Sequence, residues 1–572
     1  MKKIKSYILV AMMGLSVTSC EDFLTLMPLN EVVLENFWTN EKDVESVLMG
    51  AYASLESSDC ITRMVAWGEM RSDNIVPGTD NTNSSDDDLI QFINENFTSK
   101  NNLTTYLCFY KTINYANTVL HFAPEVKEKD PNFHGGELAA VEAEAIAIRS
   151  LCYWYLIRAF GDVPYVDEPS IDDTKDFFIG QTSFDVILES LISDLEKYKV
   201  AAQGHFSSNW QKKQISARDQ SNTSRFTRTA IEAMLADMYL WKGDWEKCIQ
   251  RCHDIDSIKQ EEYKVIKSVQ GLDCTVEPIN GYPLIAETVG SDVCGNAYNE
   301  IFGDGISFET IFELPFDRNA SNPFVSDYYN GQNSSVGRLK AASRVNRGSS
   351  DAVFPNNYDI RYYQDILESG SDKGIVKYVY QSVKYNMKDG QASATNVGTR
   401  RQNNSEPNWI VYRYTDIMLM EAEAYVMWAK ETADADSVNS MLRKAFDLVD
   451  AVNKRAICYS RYSSTPLDYN SYNSVNSMEE LVLAERRREL MFEGKRWFDL
   501  VRKAMRDGNA DYVSQKVAGK NPNGSNSSVV TNKFKNLKGL FLPINFDEIK
   551  INDKLIQNPA YSTDSEHIQK AK

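Results

Sequence analysis

The segment "TRTAIEAMLADMYLWKGDWEKCIQRCHDI" carries the strongest folding signal in this chain of 572 residues. Its first half places apolar residues at i, i+3, i+4, i+7 and i+8, which predicts an amphipathic helix. These residues are Ile231, Met234, Leu235, Met238 and Tyr239. Gly243 then ends that helix and Asp244 caps a second one, whose inward face carries Trp245, Cys248, Ile249 and Cys252. Two helices joined by so short a turn predict a hairpin of the tetratricopeptide type.

Similar helical patterns occur on both sides of a long irregular stretch. The segment "EAEAIAIRSLCYWYLIRAFGDVP" predicts a helix that ends at Gly161 and Pro164, and its expected partner spans Phe184 to Tyr198. Further helical patterns include "YTDIMLMEAEAYVMWA" and "SMEELVLAERRRELMFEG". We therefore predict an all-α fold: one body of helical hairpins at about 41–255 and 408–507, followed by an extended tail at about 530–572.

Two loop-rich regions interrupt the helical scaffold. Between about 271 and 407 the helical period fades, and Gly, Asn, Ser and Tyr accumulate. The earlier loop from Asp73 to Leu89 is similarly polar. Because binding groups concentrate on loops held by a rigid scaffold, we expect the ligand site in these regions.

The front of the chain has the layout of an export signal. Lys2, Lys3 and Lys5 precede an apolar run, from Tyr7 to Val17, that is too short to cross a bilayer of roughly 30 Å. Thr18 and Ser19 then precede Cys20, and "VTSC" resembles the lipobox of bacterial lipoproteins. That resemblance implies removal of residues 1–19 and lipidation of Cys20, which would hold the protein firmly on a membrane. A plain secretory signal with an incidental cysteine is the alternative.

The acidic balance of the chain limits its partners. Its formal net charge is −18, and removal of the signal would make the chain still more acidic. Nucleic acid is therefore excluded as a partner, because its binding relies on basic patches. Of the nine cysteines, none forms a CxxC pair, and their spacing does not predict which of them form disulfides.

No established catalytic or cofactor motif appears in the sequence. Phosphate-loop, dinucleotide and nucleophile-elbow patterns are missing, and the five histidines are scattered. We expect no cofactor and no metal. The loop "TDNTNSSDDDL" offers oxygen ligands of the kind that calcium prefers, so a structural calcium ion is the alternative to a solvated acidic loop.

Two groups of side chains are candidates for specific roles. On the helix "AERRREL" an arginine points toward the core and requires a carboxylate, so we predict a structural ion pair of Arg486 and Arg487 with Glu421 and Glu423. The 30 tyrosines also concentrate in the irregular region, and flat rings with a polar hydroxyl suit stacking on sugars or packing on peptides.

Several stretches, in order along the chain, together resemble the SusD/RagB family of outer-membrane nutrient-binding lipoproteins. They are "SCEDFL", "AEAIAIRSLCYWYLIRAFGDVPYV", "RFTRTAIEAMLADMYLWKGDWEKC", "ETIFELPF", "WIVYRYTDIMLMEAEAY", "LVLAERRRELMFEGKRWFDLVR" and "GLFLPINFDEIKINDKLIQNPAY". The resemblance implies a tetratricopeptide-like scaffold lying over a SusC-like TonB-dependent barrel in the outer membrane. It also implies a protein facing the outside that captures oligosaccharides and is not an enzyme.

By position, the resemblance places the ligand site in the first loop and in the region around Tyr282 to Tyr329. Our candidate ligand contacts are Asp80, Asn83, Tyr298, Tyr328 and Tyr329. Three alternatives remain open: capture of peptides by the same fold, as in RagB-type members, a lipid-anchored glycoside hydrolase, and a periplasm-facing helical-repeat adaptor.

Overall fold

The structure is a computed structural model, and it describes most of the chain. The described residues are 37–78, 87–171, 178–206, 221–287, 293–329, 337–370, 372–388, 391–392, 399–400, 406–457, 466–520 and 527–561. The predicted signal at 1–19, Cys20, Asp80 and Asn83 lie outside these residues, and so does the proposed calcium loop up to Asp86. Among the described helices, none is long and apolar enough to cross a membrane.

Helices dominate the described residues, which confirms the predicted fold class. The first nine are α1 Glu41–Leu55, α2 Ser58–Val65, α3 Asp87–Ile93, α4 Leu107–Lys129, α5 Gly135–Phe160, α6 Phe184–Tyr198, α7 Ser221–Ser224, α8 Arg228–Lys242 and α9 Trp245–Gln270. The rest are α10 Asn296–Tyr298, α11 Ile360–Asp365, α12 Tyr414–Glu431, α13 Ala435–Ala456, α14 Val475–Glu489, α15 Arg496–Asp507, α16 Asp511–Ala518, α17 Ser527–Phe534 and α18 Phe546–Ile551.

The long helices pack as antiparallel hairpins, in the pairs α4 with α5, α8 with α9, and α12 with α13. Helix α9 also packs on α12, so hairpins on the two sides of the irregular region belong to one stack. The turn between α8 and α9 is the predicted one: Gly243 has a φ of 80°, and Asp244 Oδ1 accepts a hydrogen bond from the Lys247 amide at 3.2 Å. The predicted partner helix from Phe184 to Tyr198 is confirmed at both ends.

Short antiparallel strands organise much of the region that the sequence marks only as irregular. Most lie between α9 and α12: β2 Val276–Ile279, β3 Tyr282–Ile285, β4 Val293–Cys294, β5 Thr310–Leu314, β6 Leu339–Ala341, β7 Ile366–Ser369, β8 Asp372–Ile375, β9 Tyr380–Ser382, β10 Tyr385–Lys388, β11 Gln391–Ala392, β12 Thr399–Arg400 and β13 Trp409–Arg413. They follow β1 Ile75–Pro77. The largest sheet among the described residues has four strands in the order β1, β6, β8, β7.

The antiparallel ladder between β1 and β6 joins the two loop-rich regions. Ile75 pairs with Ala341, and Pro77 pairs with Leu339. The chain therefore leaves β1 and enters β6 at the same end of the ladder. The first loop and the long insertion, which are far apart in sequence, meet at this point.

Candidate ligand-binding cleft

An open cleft of about 640 Å³ lies where the insertion meets the helical scaffold. Its walls are the loop at 350–359, the last turn of α13, the segment 467–472 and one face of α14. The lining residues are Ser350, Ala352, Pro355, Asn356, Asn357, Tyr358, Asp359, Asn453, Ile457, Leu467, Tyr472, Glu480, Leu481, Ala484 and Arg488. The volume lies within the range of about 300–1,000 Å³ that is typical of small-molecule sites.

Two tyrosines contribute aromatic surface to this cleft. Tyr358 and Tyr472 are half-buried. Neither hydroxyl makes a hydrogen bond within the described part of the chain, so both can serve a ligand. Asn356 and Asn357 lie beside Tyr358, and Asn356 Oδ1 accepts a hydrogen bond from the Tyr358 amide at 2.8 Å. Aromatic rings next to amide side chains offer an apolar face together with hydrogen-bonding groups.

The charged groups on the wall of the cleft are largely neutralised within the protein. Arg488 donates from Nε and Nη2 to Glu485 Oε2 at 3.1 and 2.6 Å. Asp359 accepts from Arg361 Nε at 2.9 Å and from Nη2 at 2.7 Å. Glu480, which is exposed, is the one lining carboxylate without an ion-pair partner among the described residues. The cleft therefore presents polar groups and little net charge to a ligand.

A buried ionic network fixes that wall. Arg361 Nη1 lies 2.7 Å from Glu485 Oε1 and 3.0 Å from Glu489 Oε2, and Glu489 also contacts Arg413 at 2.6 Å. Burial alone would raise the pKa of Glu485, but Arg361 and Arg488 hold it below its usual range. Because every charge in the network has a partner, the wall is rigid before a ligand arrives.

The structure corrects the predicted roles of Tyr298 and Tyr329. Tyr298 is 1% exposed, and its hydroxyl lies 3.3 Å from the carbonyl oxygens of Val376 and Tyr380. Tyr329 is fully buried, and its hydroxyl donates to the Phe492 carbonyl at 2.6 Å. Both rings belong to the core, so neither presents a face to a ligand.

Tyr328 is half-buried, and its ring already has two partners. The Phe324 ring stacks on it with centroids 4.5 Å apart and an interplanar angle of 5°. The Arg338 guanidinium carbon lies 4.6 Å from the centre of the same ring. Since these groups occupy the ring faces, stacking of a sugar on Tyr328 would require one of them to move.

The structure brings together one of the arginine and glutamate pairs that the sequence suggests. Arg486 Nε lies 4.0 Å from Glu423 Oε2, but its nearer partners are Asp416 and Asp499, each at 3.0 Å. Glu423 binds Arg502 more tightly, at 2.6 Å. Burial alone would raise the pKa of Glu423, but Arg502 and other arginines nearby hold it far below its usual range.

Arg487 and Glu421 do not meet. Arg487 Nη1 lies 3.1 Å from Asp73 Oδ2, at the base of the first loop. Glu421 Oε1 instead lies 2.9 Å from His253 Nε2, and this hydrogen bond raises the pKa of His253. Asp73 is buried between Arg487 and Arg496, so this first residue of the predicted binding loop has a structural role.

Tyr472 is a cleft residue that the sequence analysis missed. It lies in "LDYNSYNS", a short run rich in Tyr, Asn and Ser between α13 and α14. This run has the composition of the irregular region but lies outside its predicted limits. The same compositional criterion, applied to every connection between helices, would have found it.

No cluster of metal ligands appears among the described residues. Groups of three or more His, Cys, Asp or Glu side chains arranged around a common point are absent from that part of the chain. Together, the fold and the cleft define a helical-repeat protein whose irregular insertion forms one wall of an open, nearly neutral cleft.

Comparison with known families identifies the protein family to which the chain belongs. A model of the "SusD family" matches residues 319–561, and a model described as "Starch-binding associating with outer membrane" matches residues 22–240. The chain belongs to the SusD/RagB family of carbohydrate-binding proteins.

Relatives and solved structures agree over nearly the whole chain. Two SusD-like proteins of Formosa agariphila are 25% and 23% identical to it; they cover 88% and 87% of this chain, and the matches span 92% and 90% of their own lengths. A SusD superfamily protein of Bacteroides thetaiotaomicron matches with a TM-score of 0.61 and 17% identity, over 92% of this chain and 99% of its own. A laminarin-binding SusD-like protein matches with a TM-score of 0.56 and 20% identity, over 91% of this chain and 100% of its own. These structures share the fold.

Proposed function

We propose that this protein captures neutral oligosaccharides in the cleft at Tyr358 and Tyr472 and delivers them to a SusC-like TonB-dependent transporter in the outer membrane. The cleft geometry is the observation that carries the proposal. Two half-buried rings with available hydroxyls stand beside two asparagines, in a family of carbohydrate-binding proteins.

The charges of the cleft favour a neutral sugar over an acidic one. Arg488 is neutralised by Glu485, so no free cation among the lining residues attracts a uronate or a sulfate. Glu480 would repel either group. Hydroxyl groups of a neutral sugar can accept from and donate to asparagine amides without a desolvated charge.

The same charges argue against hydrolysis. Glycoside hydrolases use two carboxyl groups on opposite sides of the scissile bond. In this cleft Asp359 is held in a two-point ion pair by Arg361, which leaves Glu480 as the single available carboxylate among the lining residues. Binding without bond cleavage therefore fits the site better than catalysis.

Isothermal titration with a panel of neutral oligosaccharides, uronate-containing oligosaccharides and peptides tests the proposal. We expect heat with at least one neutral oligosaccharide, and a loss of affinity of about tenfold for Tyr358→Ala and for Tyr472→Ala. Tyr263→Ala, a half-buried tyrosine of α9 outside the cleft, is the matched control and should keep the affinity. Heat of binding with peptides alone would refute capture of oligosaccharides and favour capture of peptides by the same fold.

Delivery and location need a separate experiment. Lipidation of Cys20 would place the cleft near the membrane, and an outward orientation would expose the protein to protease added to intact cells. We expect such protease to digest the protein, and a TonB-dependent barrel to co-purify with it in mild detergent. Protection from protease would favour the periplasmic adaptor.

A further inference from the structure

The turn between β2 and β3 consists of the pair Asn280-Gly281. Ile279 pairs with Tyr282 across the hairpin, so these two residues alone connect the strands. Both have positive φ, 52° at Asn280 and 92° at Gly281, as in the type I′ turn that Asn-Gly favours. In such a pair the amide nitrogen of the glycine can attack the side-chain carbonyl carbon of the asparagine, because glycine has no Cβ to hinder the approach.

Helix α13 binds the side-chain amide of Asn280 at both of its polar atoms. Nδ2 donates to the Asp447 carbonyl oxygen at 3.1 Å and to Asp450 Oδ2 at 2.9 Å. Oδ1 accepts from Lys454 Nζ at 3.0 Å, and Lys454 also pairs with Asp450 at 2.6 Å. Rotation of the amide toward the backbone of the turn would therefore break three hydrogen bonds.

Helix α9 holds the turn from another direction. Gln260 Nε2 donates to the Gly281 carbonyl oxygen at 2.8 Å. Asn280 and Gly281 are nevertheless exposed, so water reaches both residues. The turn is thus fixed to two scaffold helices but remains open to solvent.

We propose that Asn280 is a site of spontaneous deamidation that reacts when the turn detaches from α13, and that the product no longer binds α13. The reaction requires the Gly281 amide nitrogen to come within bonding distance of Asn280 Cγ. While its amide is bound to α13, the side chain is not free to make that approach. Local opening of the hairpin releases it, so the reaction rate follows the population of the open form.

The reaction is balanced with water as the co-reactant. The Gly281 nitrogen bonds to Asn280 Cγ, the bond from Cγ to Nδ2 breaks, and Nδ2 leaves as ammonia with the proton of the Gly281 N–H. Water then opens the cyclic imide at one of its two carbonyl carbons. Opening at Cγ gives aspartate, and opening at the main-chain carbonyl carbon gives isoaspartate, whose backbone passes through Cβ.

Neither product can restore the contacts with α13. Aspartate has no N–H to donate to the Asp447 carbonyl oxygen, and its carboxylate would face that of Asp450. Isoaspartate also adds a backbone atom to a two-residue turn, which changes the register of β2 and β3. The modification would therefore release the first hairpin of the insertion from the scaffold.

The test follows deamidation by mass spectrometry of peptides, in the folded protein and in urea at the same mildly alkaline pH. The chain has two further Asn-Gly pairs, Asn330-Gly331 and Asn523-Gly524, which lie outside the described residues and serve as references in urea. We expect the three pairs to react at similar rates in the unfolded chain. Asn280 should react at least about tenfold more slowly in the folded protein than in urea.

Variants test the role of α13. Lys454→Met removes the donor to Oδ1, so deamidation of Asn280 should accelerate several-fold in the folded protein and stay unchanged in urea. Lys264→Met, at an exposed lysine of α9, makes the same charge change elsewhere and should alter neither rate.

Asn280→Asp reproduces one product and tests the structural effect. Hydrogen exchange of the backbone amides in residues 276–285 should be faster in this variant than in the parent. The control is Asn532→Asp, which introduces the same charge at an exposed residue of α17 and should leave that exchange unchanged.

Three results would overturn the proposal. Equal rates for Asn280 in folded and unfolded protein would show that α13 does not restrain the amide. Slower deamidation in Lys454→Met would show that the lysine activates the amide carbonyl instead. Unchanged hydrogen exchange in Asn280→Asp would refute release of the hairpin. None of these readouts involves sugar binding, so this inference and the proposed function can fail independently.

Discussion

Arg413, the last residue of β13, forms a two-point ion pair with Glu493 in the turn after α14. Nε lies 2.8 Å from Oε2, and Nη2 lies 2.8 Å from Oε1. Both side chains are buried, with exposures of 2% and 1%. The pair joins the insertion to the helical scaffold, because β13 closes the insertion and α14 belongs to the scaffold.

Removal of one partner of this pair should destabilise the protein strongly. Glu493→Ala leaves the Arg413 charge buried with one carboxylate fewer, and we expect a loss of about 3–5 kcal/mol in the free energy of unfolding. Urea unfolding followed by tryptophan fluorescence measures this. The control is Glu261→Ala, because Glu261 pairs with Lys264 at the surface, where both side chains are more than 60% exposed. A change of at most about 0.5 kcal/mol is expected there, and equal effects of the two variants would refute the argument.

A methyl group at Gly68 should not fit. Gly68 lies in a π-helical turn at Ala66–Met70, and an added Cβ would lie 1.9 Å from the Gly494 carbonyl oxygen. We expect Gly68→Ala to lower the free energy of unfolding by about 3 kcal/mol, because the obstacle is backbone rather than a flexible side chain.

Gly50 supplies the contrasting case for the same urea measurement. An added Cβ at Gly50, inside α1, meets nothing within 4 Å. Gly50→Ala should therefore stabilise the protein by about 0.5–1 kcal/mol through helix propensity. Stabilisation by Gly68→Ala as well would show that the turn and the Gly494 backbone can separate freely.

The buried Asp365 should make stability depend on pH. The pKa of Asp365 is raised to about 7: burial is the largest cause, Lys377 at 3.6 Å opposes the rise, and Glu493 and Glu489 add to it. Since this pKa is higher than in the unfolded chain, the group stabilises the fold fully below about pH 4. That contribution is lost as the pH rises through 7.

Asp365→Asn carries no charge at any pH, so its stability relative to the parent should increase from about pH 4 to pH 7 and level off above pH 7. The rise follows from about 1.4 kcal/mol per unit of pKa difference. Urea unfolding at pH 4, 6 and 8 measures it. A difference that stays constant across this range would show that Asp365 titrates normally in the folded protein.

The charge of the cleft should decide which sugars it accepts. Glu480→Lys reverses the one unpaired lining charge, and we expect the affinity for a uronate-containing oligosaccharide to rise several-fold relative to its neutral analogue. The gain should shrink at high salt because Glu480 is exposed. Glu246→Lys, an exposed residue of α9, makes the same charge change outside the cleft and should alter neither affinity. An equal gain with both variants would point to the net charge of the protein instead.

Local sequence signals were sufficient to predict the helical scaffold. The apolar spacing and the break at Gly243 depend on residues within one or two turns, so the hairpin of α8 and α9 could be predicted, and so could both ends of α6. The strands of the insertion are short and pair over long sequence distances, as Pro77 does with Leu339. Their periodicity is too brief to be distinguished from a loop.

The candidate site was harder to predict for the same reason. Composition indicates that tyrosines concentrate in the insertion, but burial decides which of them can meet a ligand, and burial is set by tertiary packing. Tyr329 is therefore a core residue, while Tyr358 lines the cleft. The need of Arg487 for a carboxylate was also predictable, whereas its partner Asp73 lies more than 400 residues earlier in the chain.

The ladder between β1 and β6 has a consequence for how such a protein can diversify. The segments that follow Pro77 and precede Leu339 begin and end on one pair of hydrogen-bonded strands, whose inner residues Ile75 and Leu339 are fully buried. Apart from Gly78 and Gly337, where an added Cβ would lie 1.9 Å and 2.2 Å from a backbone carbonyl oxygen, the ladder places little constraint on the sequence of those segments. Sequence change can therefore accumulate in these two stretches while the scaffold continues to fold by the same rules.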